Sequence, residues 1–294
     1  MEYVFRDSKL VLSMEKKEFN YIKDLDKAKR NFCFATKFIT FDIETRTIDN
    51  IMSPYCICFY DGFHKYSFYL SEFNDSNEMI KKALRSILTN KKYNNSLVFA
   101  HSFSKFDNTF ILKNLVLIAI ELNLKISIIK RDSEFINISV FSESTGFNIN
   151  FRDSLLLLPS SLRKLAKSFS WYQPKGGVKD KSIFPYNFFN NPGIDLNYSG
   201  TVPDFKYFSD ITLQEYNAYS SKFTKKWYLK YETIKYCLQD CVSLYQVLKK
   251  FSNTIYKDLK VNLKFAPTTS SLALRTFLLL PYVAKNKIQG CNWY

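Results

Sequence analysis

KFITFDIET, running from Lys37 to Thr45, is the stretch whose reading decides the fold. It alternates. Phe41 and Ile43 fall on one side and Asp42 and Glu44 on the other, the period of two that belongs to a β-strand. Such a strand turns its apolar residues to a core and aims two carboxylates at one point on its other face. Two acids side by side repel, so the doubly ionised pair is disfavoured unless a cation neutralises it. A strand with ordinary surface acids has the same pattern, so the pair acquires chemical meaning only in company.

Working outward, YCICFY (55–60) and KYSFYL (65–70) flank an Asp61-Gly62 turn and predict a hairpin. Asn77 to Leu88 has helical spacing, with Asp75 or Ser76 available as its cap. SLVFAH (96–101) predicts a buried strand, followed by a helix over roughly 107–121. KISIIK, FINISVF and FNINFRD are three further strand-like runs, and SSLRKLAKSF, after Pro159, predicts a short helix with basic residues on one side. Residues 171–208 break the rhythm with Gly176-Gly177, Pro185, Pro192-Gly193 and Pro203, which predicts a long loop over the core. Helical spacing returns near Thr212 and is strongest over Tyr231 to Phe251. The sum is an α/β domain, a mixed sheet flanked by helices. The organisation read from the chain is a charged lead-in over 1–36, this domain over 37–252, and a further segment over 253–294.

Two more stretches supply the company that the strand acids need. HSFSKFD (His101 to Asp107) carries Asp107 through a turn into a helix start, where an acid also serves as a cap residue. YCLQD (Tyr236 to Asp240) sets Tyr236 and Asp240 four apart, on one helix face. Asp240 stands among Cys237, Leu238, Cys241 and Val242, and a carboxylate so flanked is costly to bury unless a cation pairs with it. A tyrosine one turn earlier can hydrogen-bond an attacking water or a phosphate. Four acids held at one point suit two divalent cations that cleave a phosphodiester.

Composition bounds the partners. There are 42 basic and 27 acidic residues, a net charge of +15, which favours a polyanion, nucleic acid ahead of an anionic membrane surface. Aromatics reach 17%, but AT-rich codons favour Phe, Tyr and Lys alike, so rings count as binding evidence only beside a motif. Six cysteines form no CxxC pair, so neither a disulfide scaffold nor a zinc site is expected, and a reducing compartment fits. The apolar stretch Leu115 to Ile129 is broken by Glu121 and Lys125, so no membrane span is expected. The N-terminus has neither a signal-peptide core nor Arg-rich transit character, so if the protein works in an organelle it is expected to be made there rather than imported.

In order, a strand DxE, a strand-turn-helix FD and a helical Yx3D resemble the three motifs of the DEDD 3′–5′ exonucleases in their tyrosine-bearing form. The resemblance implies a ribonuclease-H-like fold. Asp42, Glu44, Asp107 and Asp240 match the acids that hold two Mg²⁺ or Mn²⁺ ions, and Tyr236 matches the assisting tyrosine. Asp153-Ser154-Leu155 with the helix after it resembles the Ser/Thr-Leu motif of protein-primed family B DNA polymerases of phages and of mitochondrial linear plasmids. Lys181 in KSIFPY resembles their active-site lysine, with Lys175 in KGGV the rival. Thr45, His101, Phe106, Phe110, Ser154 and Leu155 match positions that bind the single-stranded primer end. Ser102 stands in the same primer-binding set, where the family usually has Asn. LKFAPTTSSLALRTF (263–277) is similar to the linker leading to a polymerase domain, and the resemblance covers roughly 38–278.

The resemblance therefore implies a proofreading exonuclease portion, acting on single-stranded DNA 3′ ends, with a terminal protein as a further partner and a mitochondrial setting. The SLYP-type and DTD-type polymerase motifs do not occur before Tyr294, so polymerisation is not expected from these residues. Two other readings stand beside it: a non-catalytic nucleic-acid-binding remnant, motivated by Ser102 and the missing polymerase motifs, and a stand-alone DEDD exonuclease.

Overall fold

The structure is a computed structural model, and it describes the backbone at 2–6 and 9–14 and the chain at 37–170, 183–191, 193–209, 211–259 and 261–278. The chain divides into two units, residues 37–250 and residues 1–36 with 251–294. In the smaller unit, β1 (Glu2–Arg6) pairs antiparallel with β2 (Lys9–Met14), where the sequence reading had seen only a charged lead-in. The alternation is there, in Tyr3, Phe5, Leu10 and Leu12, but it is short and interrupted by charges. Elsewhere in this unit Val261, Leu263, Ala266 and Leu272 form a small apolar cluster around helix α6 (Thr269–Leu278).

The larger unit is built on one seven-stranded sheet in the order β5-β4-β3-β6-β9-β8-β7. Its strands are β3 (Phe38–Ile48), β4 (Ile51–Tyr60), β5 (Lys65–Tyr69), β6 (Ser96–Ala100), β7 (Lys125–Arg131), β8 (Glu134–Phe141) and β9 (Asn148–Asp153). β3, β4 and β5 run as antiparallel neighbours, while β6 joins β3 in parallel and β9 joins β6 in parallel. β7 and β8 form an antiparallel hairpin on the far side of β9. The sheet is thus mixed, with β3 and β6 in its interior. An antiparallel meander through β4 and β5 lies on one side, and the parallel pair β6 and β9 followed by the β7–β8 hairpin on the other.

The β3–β4 connection is a two-residue turn through Asp49 and Asn50, both at positive φ (52° and 62°), closing on the pair Ile48 and Ile51. Asp and Asn tolerate that region, and the turn twists with its strands. At the next hairpin Gly62 sits at φ 95°, and a Cβ there would also strike the Tyr245 ring and hydroxyl. Asp61 accepts from the Phe63 and His64 N–H groups at 2.9 and 2.7 Å and from Lys92 and the Tyr93 hydroxyl, each at 2.9 Å. Burial raises this carboxyl, but those donors outweigh it and hold Asp61 well below the usual carboxylate range.

Both faces of the sheet are covered. On one, Phe41, Ile43, Ile57 and Phe59 pack with α1 (Ser76–Leu88, capped by Asp75) and α2 (Asp107–Glu121). Leu115 and Ile118 of α2 are fully buried there, so truncating either to Ala costs about 2–5 kcal/mol. On the other face, Tyr55, Cys56 and Cys58 of β4 meet aromatic residues of the 183–208 segment and the long helix α5 (Leu229–Leu259). Before it come α3 (Leu162–Ser170), the strand pair β10 (Ser199–Gly200) with β11 (Trp227–Tyr228), and α4 (Leu213–Ser220), which is closed by a Thr212–Glu215 capping box. Within the described residues of 183–208, regular structure is limited to β10 and one helical turn at Phe205–Tyr207. Among the described residues, no helix is long and apolar enough to cross a membrane.

Candidate active site

Asp42 and Glu44 leave β3 on the face away from Phe41 and Ile43, opposite Cys58 and Cys56 of β4. This face is not open water. Glu44 is buried and Asp42 half-buried, because α5 lies over them. Two bonds fix the helix on the strand. The Thr40 hydroxyl donates to the Cys241 carbonyl at 2.7 Å, and the Cys237 thiol donates to the Asp42 carbonyl at 3.4 Å. Asp240, between those two cysteines, is thereby held next to the strand acids, and its charge acts on both of them.

The consequences are electrostatic. Burial first, then Asp240, push the Asp42 carboxyl up to about 7. Burial, then the charges of Asp42 and Asp240, raise Glu44 well above the carboxylate range. Their carboxyls share a hydrogen bond, which requires one proton between them, and Glu44 is the partner that the bond raises. Without a cation the pair is therefore kept partly protonated.

Asp107 reaches the same place from the opposite side. It opens α2 directly after Phe106, the N-cap residue, whose side chain makes no capping hydrogen bond. Asp107 is 1% exposed and its Oδ1 has no hydrogen-bond partner. Burial raises its carboxyl, and Asp42 raises it further, while the N–H groups of Asp107 itself and Ile43 pull it back. A buried, partnerless carboxylate oxygen costs about 1–3 kcal/mol or more, and facing another acid it calls for a cation. With Asp42, Glu44 and Asp240 the donor set is all oxygen and carboxylate, which fits hard divalent ions such as Mg²⁺ or Mn²⁺.

The turn before Asp107 is held by an acid that sequence had noted only within the Ser-Leu match. Asp153 accepts from the N–H groups of Ser102 (3.0 Å), Ser104 (2.9 Å) and Leu155 (2.8 Å). Ser102 sits at φ 68°, in the left-handed region. His101 is a strut beside it: Nε2 lies 2.9 Å from the Ser160 carbonyl and Nδ1 2.9 Å from the Ser154 hydroxyl. A carbonyl only accepts, so Nε2 carries the proton. Burial lowers His101 from its ordinary 6.5, and the Ser154 hydroxyl beside Nδ1 donates to the Ala100 carbonyl at 3.0 Å. Phe106 and Phe110, both half-buried, meet edge to face at 5.5 Å beside Asp107. Thr45 follows Glu44 across a register shift in the β3–β4 ladder and is half-buried, as is Leu155.

Tyr236 is 3% exposed, and its hydroxyl is hydrogen-bonded to that of Tyr186. Phe184 stacks on Tyr236 at 4.9 Å and Tyr186 meets it edge-on at 5.5 Å. Burial, then the charge of Asp240, raise the Tyr236 phenol; burial, then Glu44, raise Tyr186. Tyr186 is thus a member of the acidic centre that sequence reading passed over. Its signal was present, one residue past Phe184-Pro185 in KSIFPY, but the aromatic excess of the chain hid it. Lys181, the sequence candidate in that motif, and its rival Lys175 lie outside the described residues.

A family model described as DNA polymerase type B, organellar and viral, matches residues 87–290, which include Asp107, Tyr236 and Asp240. The chain belongs to this family. Among its relatives, a Neurospora intermedia protein described as "Probable DNA polymerase" is 32% identical over 94% of this chain and 30% of its own length. An Ascobolus immersus protein with the same description is 29% identical over 97% of this chain and 23% of its own length. The chain thus spans less than a third of either relative. Solved structures of Phi29 DNA polymerase are similar at lower levels. The ternary complex with primer-template DNA and incoming nucleotide has a TM-score of 0.45 at 16% identity, covering 86% of this chain and 35% of that one. The complex with single-stranded DNA has a TM-score of 0.44 at 14% identity, covering 86% of this chain and 36% of that one.

Proposed function

We propose that this type B polymerase chain carries a metal-dependent 3′–5′ exonuclease, the proofreading part of a protein-primed enzyme, which trims single-stranded DNA 3′ ends. The observation that carries the reading is the convergence of Asp42, Glu44, Asp107 and Asp240, with Asp107 Oδ1 buried and without a partner. Two divalent cations, when bound to these acids, supply a water activated for attack and charge stabilisation at the leaving 3′-oxygen.

The chain's own residues do the rest. Asp42 and Glu44 would release the proton they share to solvent on cation binding, and Asp240 would complete the negative wall. Tyr236, its hydroxyl oriented by Tyr186, positions the scissile phosphate or the water. Phe106 and Phe110 offer a ring face on which a terminal base stacks. Thr45, Ser102, Leu155 and the His101–Ser154 pair shape the primer-end pocket, and Lys181 assists at the phosphate. Arg163, Lys164 and Lys167 of α3 add to the excess of positive charge that holds the strand. The setting in this reading is mitochondrial, with a terminal protein as the priming partner.

The test is the purified chain with a 5′-labelled single-stranded oligonucleotide and Mg²⁺ or Mn²⁺. A ladder shortening from the 3′ end, abolished by EDTA, supports the reading. Endonucleolytic products, or an RNA preference over DNA, would reject it.

A further inference from the structure

Four of the six cysteines meet in one buried layer between β4 and α5, directly under the acidic centre. Cys56 and Cys58 are two apart on β4 and face the same way; Cys237 and Cys241 lie a helical turn apart on α5 and face them. All four are 0% exposed. The Cys56 and Cys58 sulfurs are 3.8 Å apart, and these two with the Cys237 sulfur all lie within 4.8 Å of one another. Cys237 belongs to a second group as well, since its sulfur and a carboxylate oxygen each of Asp42 and Glu44 also lie within 4.8 Å of one another.

We propose that Cys56, Cys58 and Cys237 form a second metal site, for a thiophilic divalent cation such as Zn²⁺ or Cd²⁺, with the Asp42–Glu44 pair at its fourth position. Tetrahedral zinc with Zn–S bonds of about 2.3 Å puts its sulfurs roughly 3.8 Å apart, which is the Cys56–Cys58 spacing. The two layers differ in softness. Carboxylates take Mg²⁺ and Mn²⁺, while thiolates select Zn²⁺ and Cd²⁺, so the hard and soft ions are sorted across the shared Asp42–Glu44 pair. Binding exchanges protons for metal: three thiols release three protons and form three metal–sulfur bonds, with no change of oxidation state. The half-buried Asp42 marks the way in, from the acidic centre. Sequence spacing conceals the site because no two of these cysteines stand in a CxxC pair; the fold brings them together.

Occupancy takes the Cys237 thiol from its hydrogen bond to the Asp42 carbonyl. It also draws a carboxylate of the pair away from the hard-metal centre. The soft ion is thereby an inhibitor of the reaction proposed above; this effect rests on that reading, whereas the binding does not.

The experiment uses the full chain. Cd²⁺ is titrated while the ultraviolet sulfur-to-cadmium charge-transfer band is followed, and zinc-loaded protein is examined by X-ray absorption at the zinc edge. The expected result is one ion per chain, resistant to excess Mg²⁺, with a zinc shell of three sulfurs and one oxygen. The band is lost in Cys237→Ser and kept in a Cys33→Ser, Cys291→Ser double variant. An all-oxygen zinc shell in wild type overturns the site without reliance on any variant, as does a band that survives Cys237→Ser or a titration with no band. Zn²⁺ is expected to slow Mg²⁺-supported cleavage at least tenfold in wild type and equally in the Cys33, Cys291 variant, which keeps the site. A sulfur shell with cleavage unaffected overturns the inhibition while leaving the site standing.

Discussion

The Thr40 hydroxyl and the Cys241 carbonyl are joined at 2.7 Å across the boundary between sheet and helix, both groups fully buried. Thr40 stands two residues before Asp42 on the same face of β3, and Cys241 follows Asp240 on α5. One hydrogen bond therefore sets the phase of the helix against the strand and decides how near the third-motif acid comes to the first. Thr40→Val keeps the shape and removes the donor, at a cost of about 1–2 kcal/mol. The expected outcome is a small drop in unfolding midpoint with a much larger loss of metal-dependent cleavage. A variant as active as wild type would show that the bond does not position Asp240.

Tyr236 and Tyr186 share a hydroxyl contact above the acids, so their phenylalanine variants separate positioning from packing. Tyr236→Phe should lower kcat by roughly a hundredfold, in the lower part of the range for positioned proton-handling groups. Tyr186→Phe should lower it less, about tenfold, because it acts through Tyr236. Both should keep their far-ultraviolet dichroism. Steady-state kinetics on a single-stranded oligonucleotide check the order of the two effects.

Ser102 adopts φ 68°, a conformation that costs most L-residues about 1–2 kcal/mol and Asn less. Its N–H must stay there to reach Asp153. Ser102→Asn is accordingly expected to stabilise the chain by about 0.5–1 kcal/mol, measured by denaturant midpoint. A stabilised variant that also degrades the oligonucleotide faster would link this turn to primer-end binding.

The acid pair predicts an unusual pH dependence for the metal-free chain. Asp42 is raised from its ordinary 3.8 to about 7, and Glu44 is raised as well. A carboxyl raised on folding stabilises the native state fully below its unfolded value, and that contribution is lost as pH climbs through the folded value. The metal-free chain should then melt at a lower temperature at about pH 8 than at about pH 6, and Asp42→Asn should flatten the slope. Mg²⁺ should restore more stability at the higher pH, since it binds the ionised acids. Thermal melts across pH, with and without Mg²⁺, measure both.

Range along the chain separates the features legible in the sequence from those that are not. The alternation of KFITFDIET, the Asp61-Gly62 turn and the Asp75 cap are local, and each element stands where its pattern put it. The Asp49–Asn50 turn was missed because it lacks the glycine that marks such hairpins, although both residues tolerate positive φ. What sequence could not supply was depth. Asp42 and Glu44 read as a face turned to solvent or metal, yet α5 covers them, and that burial is what raises their carboxyls. Tyr186 meets Tyr236 across 50 residues and the Cys237 thiol meets Asp42 across 195, separations at which no local period leaves a trace.

The most direct test of the central claim compares wild type with Asp42→Ala plus Glu44→Ala on a 5′-labelled single-stranded oligonucleotide in Mg²⁺. The account predicts stepwise shortening from the 3′ end in wild type and a loss of about a thousandfold or more in the double variant, whose melting in the absence of metal is no worse. Equal rates in the two proteins, or no degradation by either, would contradict it.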